Sequence, residues 1–432
     1  HRGPPPVVGG AGGGGVAAGA AGGGGGTFGS ATCVPGSDCG AAGSGDSGGM
    51  NVYVRELAAG LAHAGHECEV YVRADRAPGA GPPAEVPVEP GVTVRHVPAG
   101  AFDLPKEALP DIVDEWADAV GDDLDARGGV DVIHANYWLS GVAGHRLKHA
   151  LDIPFVTTFH TLARVKAEGG DPEPGWRDLA EAELVGCADA ICVSCEEEAA
   201  QFRRHYGEPH GRIEIVPPGV EHAFFAPGER SGARAALDLP EREPVVLFVG
   251  RIQPLKGPDI AIRALAALGR DDARLLIVGG ASGRDGDAEL ERAHQLVDEL
   301  ALGDQVEFVP PQPHHILSTY YRAADVVVVP SRSESFGLVA LEAAACGIPV
   351  VASAVGGLLS LVDHSETGFL VPQRDPVLFA KAIGRLLDEP LLAASMSRAA
   401  AARAQRYTWG FAAARLRRLY TDLTVRQLVA CS

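Results

Sequence analysis

From residue 46 onward, short strand-like runs of mainly apolar residues alternate with longer stretches of helical period. The first half carries such runs at 68–73, 92–97, 131–134, 153–160, 189–194 and 213–216. The second half repeats the arrangement at 244–250, 273–279, 305–309, 324–330, 348–352 and 368–371. Many are rich in Val and Ile and continuously apolar. That pattern predicts parallel strands covered on both faces, because a strand with one wet face would alternate. Helical patterns lie between several of them, for example over 52–64 and 176–187. A last one, 408–425, puts Trp409, Phe411, Leu416 and Tyr420 on an apolar side. Two successive strand–helix sets predict an α/β protein of two doubly wound, Rossmann-like domains facing each other across a cleft.

Breakers locate the seam. Pro217-Pro218-Gly219, Pro227-Gly228, Pro240 and Pro244 cluster within 217–244. The expected organisation is a first domain over 46–220, a second over 221–407, and a final helix (408–428) packing back on the first. Residues 1–45 differ in texture, with glycine runs at 12–15 and 22–26. They hold too little apolar surface to offset their ordering entropy and are expected to be disordered. No apolar h-region follows Arg2, so the segment does not read as a signal peptide.

Charge and cysteine usage narrow the partners. In 432 residues, 56 Asp and Glu outweigh 37 Lys and Arg, for a formal net charge of −19. Nucleic acid and anionic membranes require a basic face, so neither is expected. No apolar run approaches the roughly 18 residues of a membrane span. The 8 cysteines are scattered, which fits a reducing cytoplasm rather than a secreted disulfide framework. Cys192-Val193-Ser194-Cys195 falls at an apolar run and reads as a pair of buried thiols, not a zinc or redox site.

Four constellations carry chemistry. Gly250-Arg251-Ile252-Gln253-Pro254-Leu255-Lys256-Gly257 sets two cations between a strand's carboxyl end and a helix N-terminus, a place suited to a diphosphate. A departing diphosphate gains charge as its bond breaks, so cations there act on the transition state. Glu334-Ser335-Phe336-Gly337-Leu338-Val339-Ala340-Leu341-Glu342 places one carboxylate in a loop and another about 12 Å further along a helix. One can reach sugar hydroxyls and the other a ribose. Gly43-Ser44-Gly45-Asp46-Ser47-Gly48-Gly49-Met50-Asn51 opens a helix with glycines that let a ligand approach the backbone; it lacks the Lys and Ser/Thr of a Walker motif. Lys106, Tyr137, His160, Thr161 and Arg177 form a polar set, of which Tyr137 and His160-Thr161 fall at strand ends. Surface turns, helix caps and ordinary loop residues would produce any one of these patterns singly.

Together the motifs resemble retaining glycosyltransferases of the GT-B fold, the family numbered four. The E-x7-E at Glu334 and Glu342 and the G-R-x4-K-G from Gly250 to Gly257 are its best markers, and the resemblance spans about residues 43–425. Phe248 to Lys256, Tyr137-Trp138-Leu139-Ser140-Gly141 and Ser333 to Val339 are similar to the actinobacterial branch that glycosylates an inositol phosphate in mycothiol synthesis. That resemblance implies roles. Arg251 and Lys256 would hold the diphosphate, Glu342 the ribose and Glu334 the transferred sugar, with Gly49 against the donor. Catalysis would rest on Arg251, Lys256, Glu334 and His160. Asp46 and Asn51 would contact the inositol ring, and Lys106, Tyr137, Thr161 and Arg177 its phosphate. The implied donor is UDP-N-acetylglucosamine and the acceptor a small phosphorylated polyol; a second copy of the chain is a candidate partner. No cofactor is required. A magnesium ion in the related enzyme is held largely by backbone groups around positions matching Tyr321, Arg322 and Ala324, but a further ligand position, usually Thr, is Ile348 here.

The chain departs from the family at its start. An apolar strand leading into His-x-Ser-Pro is normal there; this chain has Thr32-Cys33-Val34-Pro35-Gly36-Ser37-Asp38-Cys39-Gly40, and neither strand nor His is expected. Three readings stay open: the inositol-phosphate transferase, a relative with another donor or acceptor such as a sucrose-phosphate-synthase-like enzyme, and a nucleotide-sugar-binding protein without activity.

Overall fold

A computed structural model describes residues 27–31, 49–74, 76, 83–282 and 286–431. Two sheets organise it. The first contains β1 (Thr27–Ala31), β2 (Glu67–Arg73), β3 (Glu85–Glu89), β4 (Val92–Val97), β5 (Ile133–Asn136), β6 (Phe155–Thr158), β7 (Ala190–Val193) and β8 (Arg212–Ile215). Their spatial order is β3-β4-β2-β1-β5-β6-β7-β8, and only β3 runs antiparallel, at the edge. The second contains β9 (Val245–Val249), β10 (Arg274–Val278), β11 (Val306–Val309), β12 (Val326–Val329), β13 (Val350–Ser353) and β14 (Gly368–Val371). Its order is β11-β10-β9-β12-β13-β14, parallel throughout. Both sheets reverse direction of growth between neighbouring strands, β1/β5 in one and β9/β12 in the other. At such a reversal the connections leave on opposite faces and open a crevice at the carboxyl ends.

The uninterrupted apolar runs are strands with two covered faces. In β6, Phe155 enters one core with Trp116, Leu147 and Leu184, while Val156 enters another with Leu57, Leu61 and Leu416. In the second sheet Val246 and Phe248 face one core, and Val245 and Leu247 the other. All four residues of β12 are buried.

At 27–31 the structure corrects the expectation of disorder and of a missing strand; the rest of residues 1–45, including 32–40 where the His was expected to be lacking, lies outside the described residues. Thr27–Ala31 is β1, the strand at the reversal, pairing in parallel with β2 from Thr27↔Glu67 to Ala31↔Tyr71 and touching β5 at Gly29↔Ile133. Its sequence, Thr-Phe-Gly-Ser-Ala, carries no Val/Ile run. Its place comes from backbone pairing on both sides, which leaves no trace in hydrophobic periodicity. The short polar edge strand β3 was missed for a similar reason.

The final helix, Trp409–Thr424, begins at Thr408, whose side chain accepts a hydrogen bond from the Phe411 amide at 3.1 Å. It buries Trp409, Leu416, Leu419, Tyr420 and Leu423 against the helix Gly49–His63 and the first sheet. Phe411, expected on that apolar side, is exposed, with the Arg415 guanidinium 5.7 Å from its ring. The Tyr420 hydroxyl meets His134 Nδ1 at 2.6 Å, and His134 Nε2 meets Thr158 Oγ1 at 2.8 Å. The chain passes between the two sheets twice, and the passages lie side by side. Val220 N–H donates to Tyr407 C=O at 3.2 Å. A Cβ on Gly219 would stand 2.2 Å from Trp409 N.

Two outcomes follow from these contacts. Gly219→Ala should cost about 1–3 kcal/mol through overpacking, read as a lowered melting temperature. Burial lowers the pKa of His134 from its ordinary 6.5 to about 3, with His160 adding to the effect. A His neutral in the fold and protonated when unfolded contributes stability that is intact above about pH 6.5 and is lost as pH falls towards 3. His134→Gln should therefore lessen the slope of stability against pH between 6 and 4 by about one proton, measured by denaturant titration at each pH.

Candidate functional site

The loop after β9 turns at Gly250 and closes on Gly257, whose φ of 73° is left-handed backbone that favours glycine. Pro258 then starts the helix Pro258–Leu268. Lys256, just before that helix, reaches the neighbouring loop after β12, where its Nζ lies 2.7 Å from Glu334 Oε2. Ser331 Oγ donates to the same oxygen at 3.3 Å. Arg251 is half-buried in the same loop, and no side-chain partner holds it among the described residues. An uncommitted guanidinium, an ammonium and a helix N-terminus thus occupy one corner, with the carboxylate of Glu334 beside them. Such a corner binds an oxyanion and orients a sugar hydroxyl.

Glu342 lies in the helix Leu338–Ala345 and is buried. His314 Nε2 contacts its Oε1 at 2.8 Å and Tyr321 Oη donates to its Oε2 at 2.7 Å. Each carboxylate oxygen keeps a second lone pair, so the group is oriented and still able to accept from a hydroxyl. Neither orienting partner was singled out for this role from the sequence. A lone His and Tyr in a helical stretch carry no signal of a carboxylate distant along the chain.

Across the cleft, Gly49 is the first residue of the helix Gly49–His63, and a Cβ there would meet Leu338 Cδ1 at 2.9 Å. Two helix N-termini, one from each domain, therefore converge. Asn51 lies half-buried in the first turn. Asp46 lies outside the described residues, as does the side chain of Lys106, whose backbone opens the 3-10 helix Lys106–Ile112.

Tyr137 and His160 follow the neighbouring strands β5 and β6, and both have left-handed backbone, with φ of 82° and 60°. Non-glycine residues tolerate that conformation only where surroundings impose it, often at functional sites. His160 Nε2 lies 3.0 Å from Asn136 Oδ1, and its ring meets Tyr53 edge-on with centroids 4.9 Å apart. Burial lowers its pKa to about 4, so it is neutral at pH 7 and offers a dipole rather than a charge. Its backbone carbonyl accepts from Ser335 Oγ of the other domain. Ser194 Oγ donates to Ser335 C=O at 3.1 Å.

Arg177 gathers the rest of the polar set. Its guanidinium donates to both Thr161 oxygens at 3.0 Å and to Tyr137 Oη at 3.4 Å. Glu181 holds its Nε at 2.8 Å, and Glu173 stands 3.0 Å from Nη1. The Arg177 side chain is 2% exposed, so these carboxylates offset the cost of burying its charge. Glu173 and Glu181 flank Arg177 at i−4 and i+4, a spacing visible in the sequence but unremarkable there.

At Tyr321, Arg322 and Ala324 the side chains do not supply a magnesium site: the Arg322 guanidinium is a cation bonded to the Phe224 and Ala226 carbonyls, and the buried Ile348 has no side-chain oxygen. No step below runs through a metal.

Comparison with known proteins agrees with this geometry. Residues 48–219 match the model of the glycosyl transferase 4-like domain, and 229–403 that of glycosyl transferases group 1. The D-inositol 3-phosphate glycosyltransferase of Acidothermus cellulolyticus is 46% identical over 403 residues, 90% of this chain and 89% of that one. That of Mycobacterium avium is 46% identical over 376 residues, 85% and 87% of the two chains. The structure of sucrose-phosphate synthase from Thermosynechococcus elongatus superposes with a TM-score of 0.83 at 35% identity, over 92% of this chain and 99% of that one. Anabaena HepE, solved with UDP and glucose, gives a TM-score of 0.73 at 20% identity over 92% of this chain and 100% of that one, a likeness of fold alone.

Removing Lys256 leaves Glu334 without its cation and a diphosphate without its ammonium. Lys256→Ala should lower kcat by about 100- to 1000-fold with an unchanged circular dichroism spectrum. Normal turnover would exclude a catalytic role for this lysine.

Proposed function

The chain belongs to the GT-B glycosyltransferases of family 4, and on that premise we propose that it moves N-acetylglucosamine from UDP-N-acetylglucosamine to 1D-myo-inositol 3-phosphate, with retention of configuration. The observation that carries the acceptor is the junction of Tyr137, Thr161 and Arg177. Three residues from separate stretches of chain bring two hydroxyls and a guanidinium into contact with one another. A phosphate dianion needs such a mixture. The names of the similar enzymes support the same acceptor.

Retention fits a front-side exchange. The bond from the sugar's anomeric carbon to the diphosphate oxygen breaks. The acceptor oxygen bonds to that carbon on the same face. The acceptor hydroxyl's proton passes to the departing phosphate oxygen, so no protein nucleophile is consumed. Arg251, Lys256 and the helix N-termini stabilise the charge developing on the diphosphate. Glu334 aligns the transferred sugar, Glu342 the ribose, and neutral His160 a sugar hydroxyl; Asp46, Asn51 and Lys106 complete the acceptor side. Holding the two substrates in one cleft supplies the orientation that a bimolecular encounter lacks. Such a reaction belongs to mycothiol biosynthesis in the cytoplasm. Among the described residues no helix is long and apolar enough to cross a membrane.

A second reading has its own support in the likeness to sucrose-phosphate synthase. There the acceptor would be a phosphorylated hexose at the same phosphate-binding junction. Product from UDP-N-acetylglucosamine with inositol 3-phosphate, and none with free inositol or fructose 6-phosphate, is the expected result. Product with fructose 6-phosphate alone would establish the second reading, and donor binding without any turnover would make the chain a binding protein. Arg177→Lys should raise KM for inositol 3-phosphate at least tenfold and leave the donor KM within about twofold, since lysine lacks the fork that serves several acceptors at once.

A further inference from the structure

Outside the cleft motifs, four side chains meet that the transfer reaction does not use. His145 and His149 stand one turn apart near the end of the helix Trp138–Leu151. Cys187 ends the helix Gly175–Cys187. Cys431, 244 residues beyond Cys187, follows the last helix. Their four ligand atoms lie within 4.8 Å of one another. The two Nε2 atoms are 3.1 Å apart. His149 Nε2 is 3.1 Å from Cys431 Sγ and 3.8 Å from Cys187 Sγ, and His145 Nε2 is 3.7 Å from Cys431 Sγ. The two sulfurs are in contact, as in a disulfide.

We propose that His145, His149, Cys187 and Cys431 form a zinc site that fastens the end of the chain to the first domain. Bonds of about 2.0–2.1 Å to nitrogen and about 2.3 Å to sulfur make a tetrahedron with edges of roughly 3.3–3.8 Å. The nitrogen–nitrogen separation and three nitrogen–sulfur separations are close to those edges, and zinc binding would part the two sulfurs. Two thiolates and two imidazoles form a donor set that selects zinc among the common divalent ions. A disulfide would account for the sulfurs but not for both imidazoles turning Nε2 inward on them, since sulfur is a weak hydrogen-bond partner. Zinc binding requires both cysteines as thiolates, with loss of their protons to solvent; it and the S–S bond exclude each other.

The surroundings suit a metal. On the far side of His145, Nδ1 faces Glu183 Oε1 at 3.6 Å, the placement of an outer carboxylate that orients a ligating imidazole. A buried ion pair delivers the fourth ligand. Lys148 Nζ donates to Cys187 C=O at 2.7 Å and Val429 C=O at 2.9 Å, and lies 3.1 Å from Asp189 Oδ2. Val429 N–H donates to Asp189 Oδ1 at 2.6 Å. The segment after the final helix is thus seated two residues before Cys431. That helix carries the chain back from the second domain, so a metal at its far end would secure the return.

The test uses the full chain purified under reducing conditions, dialysed with zinc and then freed of excess. About one zinc per chain is expected, with a melting temperature lowered by a strong chelator. Cobalt(II) exchanged into the same protein should show thiolate-to-cobalt charge transfer and tetrahedral d–d bands. Cys431→Ser, in the tail, should lose both signals while the circular dichroism spectrum stays unchanged. Negligible zinc in the reduced wild-type chain would overturn the proposal. So would a Cys187–Cys431 disulfide that persists in that protein's peptide map, or cobalt bands that survive replacement of both histidines by alanine.

Discussion

Lys256 and Glu334 come from the loops after β9 and β12, the neighbouring strands at which the second sheet reverses, and their 2.7 Å ion pair locks those loops to each other. Both side chains are about four-fifths buried. A pair so placed contributes little net stability, since desolvation offsets much of its Coulomb attraction. What it supplies is position. With the ammonium and carboxylate fixed beside the start of the helix Pro258–Leu268, the proposed diphosphate would meet a cation already oriented and the sugar an acceptor already aligned. Glu342 is set in the same manner by His314 and Tyr321.

The opposite wall is set by backbone strain. Tyr137 and His160 leave adjacent strands in left-handed conformations. His160 then meets Ser335 through its carbonyl, so one residue serves the wall and the contact between domains. That contact consists of hydroxyl-to-carbonyl bonds, each worth about 0.5–1.5 kcal/mol. The paired passages at Gly219–Val220 and Tyr407–Trp409 remain as the covalent link.

Much of this was legible in the sequence. Apolar runs, many of them unbroken and rich in Val and Ile, announced the strands, and the 12 runs correspond to β2 and β4 through β14. The G-R-x4-K-G and E-x7-E spacings announced their loops, because a strand's end and a helix's start fix where the residues between them lie. What the sequence could not announce depended on partners remote along the chain. β1 is a strand because β2 and β5 flank it, not because Thr-Phe-Gly-Ser-Ala asks to be one. Phe411 is exposed although periodicity placed it inward, since the face that packs is chosen by the first sheet and not by the helix alone. His314 and Tyr321 have meaning only beside Glu342, and Cys187 and Cys431 only beside one another. The sequence by itself determined the class of fold and the loops that carry the charged motifs, all set by local period and spacing. The tertiary structure alone decided the central strand, the orienting partners and the His–Cys cluster, because those depend on distances in space that no local pattern encodes.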